Sequence, residues 1–82
     1  SLSYQYTAAD QQGYLEKKIT GLRTQLSSYT EGLVTAQREG NQEKIKGYQH
    51  LQDYVGMQLD RAKRELDHLQ SQQETTHALE RS

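Results

Sequence analysis

The sequence predicts an all-α protein, an antiparallel two-helix coiled-coil hairpin, and three observations carry that prediction. Apolar residues recur at steps of four and three at Leu15, Ile19, Leu22, Leu26, Tyr29, Leu33 and Ala36. The same rhythm resumes at Ile45, Tyr48, Val55, Leu59, Ala62, Leu66 and Leu69, with Gln52 filling one slot. One breaker, Gly40-Asn41, separates the two runs, and proline is absent throughout. Alternating steps of four and three keep side chains on one seam of a helix. A short loop between two such helices makes them antiparallel.

Residues 1–7 carry no period and read as a flexible N-terminal arm. Thr7 is placed to cap the first helix, with Asp10 three residues on where a carboxylate can accept exposed amides. The first helix is expected over 8–39, roughly 48 Å at ~1.5 Å per residue. Gly40 suits the left-handed residue that closes a helix, and Asn41 can cap the next one. The second helix is expected over 42–79, with a frayed tail at 80–82 where Thr75-Thr76 and polar residues weaken the pattern.

An antiparallel turn pairs residues whose numbers have a constant total. Ala36 with Ile45, Leu33 with Tyr48, Leu26 with Val55, Leu22 with Leu59, Ile19 with Ala62 and Leu15 with Leu66 all total 81. Six apolar layers thus agree on one register. Tyr29 falls opposite Gln52: either the phenol takes the amide in a polar layer that fixes register, or Gln52 turns out to solvent. An unbroken helix through Gly40-Asn41, dimerising with a second copy, is the competing architecture.

Composition narrows the function. Eighty-two residues suffice for one small domain. The chain begins at Ser1 rather than Met, as a fragment or a tag scar would. Without cysteine there is no disulfide, thiolate or cysteine-ligated zinc, which fits a reducing, cytoplasmic setting. A net charge of −1 is no nucleic-acid footprint. No apolar run approaches the ~20 residues that span a bilayer, and no basic start with an apolar stretch marks a signal peptide. Direct membrane insertion is not expected.

Nothing points to catalysis, so no enzyme, cofactor or metal is expected. His50 and Asp53, and Glu65 and His68, share helix faces three residues apart. Di-iron bundles aim several Glu-x-x-His motifs inward from four helices. Here there is one, and Leu66 and Leu69 occupy the seam beside it, so it reads as surface charge. Two helices enclose no pocket, and no phosphate-binding glycine motif occurs.

Recognition is the remaining class, and two features suggest it. Gly47 and Gly56 lie beside the seam of the second helix, close to Leu51 and Tyr54, and small residues beside a bulky pair can seat another helix. The alternative is that Leu51 and Tyr54 widen the core stripe. Residues 38–64 also hold six basic against four acidic residues. Arg38, Lys44 and Lys46 gather at the turn, and Arg61, Lys63 and Arg64 lie further along, a pattern suited to an acidic partner helix or to a solvated face.

The string Leu26-x-x-Tyr29, Ala36-Gln37-Arg38-Glu39-Gly40-Asn41, Lys44-Ile45-Lys46, Tyr48 and Leu51 resembles the DM14 domain of the coiled-coil and C2 domain-containing proteins related to lethal giant discs. Gln37 stands where that family usually has Lys. The resemblance covers Tyr29 to Ala62. It implies docking onto the charged helical hairpin of an ESCRT-III subunit in endosomal sorting, with Arg38, Lys44, Lys46 and Lys63 on the acidic partner. The turn is also similar to the short hairpin of rabenosyn-type Rab effectors. That resemblance implies a small GTPase held by an apolar surface of Leu51, Tyr54, Val34 and Tyr48. The expectation is therefore a protein-interaction module, endosome-associated through its parent protein. A structural spacer or homodimerising element is the third option.

Overall fold

A computed structural model describes residues 6–81, which form two helices, α1 (Ala8–Glu39) and α2 (Gln42–Arg81), folded back on each other. Residues 1–5 of the arm expected over 1–7, and the end of the expected tail, Ser82, lie outside the described residues.

The start of α1 is fixed by a capping box. The Asp10 amide donates to Thr7 Oγ1 at 3.1 Å, and the Thr7 amide donates back to Asp10 Oδ2 at 3.0 Å. Two of the donors that a helix start leaves orphaned are thereby satisfied. At the other end Gly40 adopts φ 66°, the left-handed region that costs glycine least. The Asn41 amide then reaches the Ala36 carbonyl at 3.0 Å, and Asn41 Oδ1 accepts the Lys44 amide at 3.1 Å. The chain therefore reverses within two residues, which removes the continuous-helix architecture.

The whole expected seam is buried or half-buried. Ile19, Leu22, Val55, Leu59 and Ala62 make its centre, with Leu26, Tyr29 and Leu66 packed against them. Leu15 and Ala36, each 1% exposed, seal the seam toward either end. Removing such side chains from water is the main term that holds two helices together.

Two expectations change in detail. Gln52 does not bond Tyr29; its Nε2 donates to Thr30 Oγ1 across the seam at 3.0 Å. The Thr30 hydroxyl in turn donates to the Leu26 carbonyl at 2.9 Å. Tyr29 leans against Tyr48 instead, with ring centroids 6.4 Å apart, and its hydroxyl accepts from Gln25 Nε2 at 3.4 Å. The rings are tilted by 48° rather than stacked, one of the arrangements in which aromatic pairs attract. In addition, α2 continues to Arg81 rather than ending near 79. Thr75 and Thr76 bond back to the carbonyls of Ser71 and Gln72, both at 3.0 Å, and so stay within the helix. The register places Ala8 opposite Gln73, leaving the last two turns of α2 without a facing helix.

Candidate interaction surface

The molecule is one helix layer thick, 61 Å long and 14 Å in its thinnest dimension. Such a plate has two broad faces and the outward side of each helix. Two cross-helix contacts tell the faces apart. Thr30 bonds Gln52 on one face, and Glu39 meets Lys44 at 3.9 Å on the other. Thr30 and Glu39 are nine residues, or about two and a half turns, apart on α1, and so lie on opposite sides of it.

This separates residues that the sequence reading had grouped. Leu51 stands one heptad beyond Lys44 and shares the Glu39 face. Val34 stands one turn beyond Thr30 and shares the opposite face, so Val34 does not complete an apolar surface with Leu51 and Tyr54. Gly47 and Gly56 are also nine residues apart: Gly47 flanks Leu51 and Tyr54, whereas Gly56 lies across the helix from Gly47. The apolar feature that remains is a stripe on α2 of Leu51, Tyr54 and Met57. Tyr54 and Met57 are 59% and 63% exposed. The sequence reading missed Met57, although the step of three from Tyr54 was the signal.

The basic residues divide in the same way. Arg38 is exposed in the last turn of α1. Lys44 and Lys46, two residues apart, project from opposite sides of α2, so the turn carries no single basic face. The Lys44–Glu39 pair is exposed on both sides, and such pairs contribute little. Lys46 lines a shallow concavity with Gln49, His50 and Asp53. Lys63 lies along the Thr30 face, in an open groove with Glu16, Arg23 and Asp67. Arg61 and Arg64 continue the Tyr54–Met57 stripe toward the end of α2, and neither forms an ion pair among the described residues.

The concavities described among these residues are open to solvent, among them a trough lined by Gln12, Gln70, Gln73, Glu74, His77, Ala78 and Arg81. Among the described residues no cluster of three or more His, Asp or Glu could hold a metal ion, and no helix is long and apolar enough to cross a membrane. The surface thus offers an apolar ridge beside basic side chains, suited to contact with another macromolecule along a helix. No family model, curated protein or solved structure matches this chain.

Proposed function

We infer that the hairpin is a protein-interaction module whose contact surface is the outward side of α2. The observation that carries this reading is the exposed stripe Leu51, Tyr54 and Met57, continued by Arg61 and Arg64, which form no ion pair among the described residues. None of these side chains belongs to the buried seam or to the side chains packed against it. Aromatic side chains, methionine and arginine are the types enriched where protein surfaces meet.

The partner chemistry that fits is an amphipathic helix with an apolar ridge and an acidic flank, held as one helix along another. An acidic helical surface of the ESCRT-III kind, which the DM14 resemblance implies, has this character. A small GTPase bound through the apolar ridge is the alternative partner. Either would place the module in the cytoplasm, at endosomes through its parent protein.

Three variants test the reading in a quantitative binding assay against these two partner classes. Tyr54→Ala is expected to abolish binding while the thermal melt stays unchanged. Lys44→Glu with Lys46→Glu is expected to leave binding nearly intact, because the two lysines face apart. Leu22→Asp buries a charge in the seam and unfolds the hairpin, which calibrates loss of fold. Loss of binding in the double lysine variant but not in Tyr54→Ala would transfer the contact to the turn. A spacer with no partner of its own would show binding in none of them.

A further inference from the structure

The outward side of α2 carries a second heptad rhythm that the hairpin does not use. Glu43, Gly47, His50, Tyr54, Met57 and Arg61 follow at steps of four, three, four, three and four, and all six are exposed. Read from its two ends, this stripe complements itself. Residue numbers totalling 104 pair Glu43 with Arg61, Gly47 with Met57 and His50 with Tyr54. The acidic end meets the basic end. The residue without a side chain meets the long, flexible thioether. The two aromatic rings meet at the middle. A Cβ at Gly47 would touch nothing within 4 Å, so the hairpin itself does not require glycine there, even though glycine weakens a helix interior.

We propose that α2 of a second copy of this chain packs antiparallel on this stripe, about a two-fold axis at residue 52. The proposal rests on the reading of this side of α2 as a contact surface and names an occupant for it. A two-fold contact requires one patch to be its own complement, and the palindrome of charge and size meets that requirement. The flanks fit the same register. Leu51 meets its own copy on one side, and Lys46 meets Asp60 on the other. Sliding by one heptad sets Arg64 against Gly47 and leaves Glu43 without Arg61, so the register is specified. Asp53 faces its own copy at the rim, a like-charge contact. The stripe is also far smaller than the ~20–30 residues per side of a standard interface. Both keep the association weak and reversible, so that it yields to a tighter partner on the same side chains.

Sedimentation velocity on the purified chain from about 10 µM to about 1 mM spans weak association. The expected result is a reversible monomer–dimer equilibrium. Glu43→Arg and Arg61→Glu should each weaken it at least about fivefold, since the two-fold axis doubles every charge contact. The double variant should return to within about twofold of the wild type. Met57→Lys should abolish the dimer with the melt of the dilute monomer unchanged. A nitroxide at Gln42 should give an inter-copy separation of about 30 Å, since residue 42 sits opposite position 62 at ~1.5 Å per residue. A parallel pair would give about 10 Å. A chain monomeric throughout, a double variant weaker than either single one, or the short distance overturns the proposal. Self-association lost alongside partner binding that still depends on Tyr54 would sink this inference alone.

Discussion

Two glycines of α1, alike in sequence, should respond in opposite ways to the same added methyl group. Gly21 and Gly32 both lie inside the helix. A Cβ at Gly21 would meet nothing within 4 Å. Gly21→Ala therefore gains the helix propensity of alanine, ~1 kcal/mol, or about 4–8 °C in Tm for a domain of this size. A Cβ at Gly32 would fall inside the van der Waals envelope of the Tyr48 ring. That ring is half-buried and leans on Tyr29, so making room for the methyl group means turning it away from that contact. Overpacking of this kind costs ~1–3 kcal/mol, which offsets or exceeds the propensity gain. The net effect at Gly32 is thus between neutral and ~2 kcal/mol destabilising, with its Tm below that of Gly21→Ala by about 5 °C or more. Thermal melts followed by circular dichroism measure both. A double-mutant cycle sharpens the test: with Tyr48→Ala as background, Gly32→Ala should recover the ~1 kcal/mol gain. If Gly32→Ala stabilises the wild-type chain as much as Gly21→Ala does, Tyr48 does not cross the seam at this layer and the register is wrong there.

Replacing Gly40 with Ala places a Cβ in the left-handed region and should cost ~1–2 kcal/mol, read as a lower urea midpoint with an unchanged m-value. Thr7→Ala opens the capping box and should cost ~1 kcal/mol, with amide exchange rising first in the opening turn of α1. Leu59→Ala in the centre of the seam should cost ~2–5 kcal/mol, enough to lower the helical circular dichroism signal at 37 °C in a domain this small. Lys44→Gln should leave the melt within about 0.5 kcal/mol of the wild type, because both it and its partner Glu39 are more than half exposed; a larger loss would mean that the turn leans on that ion pair.

Most of the fold was legible because it depends on short-range periodicity. Steps of four and three specify which side of each helix is apolar, and a glycine between two such runs specifies the reversal. With a two-residue turn the register follows from counting, and the buried residues fall on the expected seam. The caps were legible for the same reason, since Thr7–Asp10 and Asn41–Lys44 each span only three residues. The end of α2 was less so, because threonines that bond back to their own helix read as breakers in sequence.

What lies around a helix, rather than along it, was decided by the tertiary structure. In sequence Gln52 could turn to Tyr29 or to solvent, and the crossing of the helices gave it Thr30 instead, while Tyr29 packs on Tyr48. Nothing along the chain sets Gly32 apart from Gly21; α2 does, by placing the Tyr48 ring over it. Neighbours in sequence such as Lys44 and Lys46 looked like one basic patch, although two residues turn a helix through about 200°. Leu51 and Val34 likewise belong to different broad faces. The linear chain set which residues turn inward, because burial follows a period that can be counted. The packed pair of helices set which outward residues share a surface, because that depends on where the second helix stands.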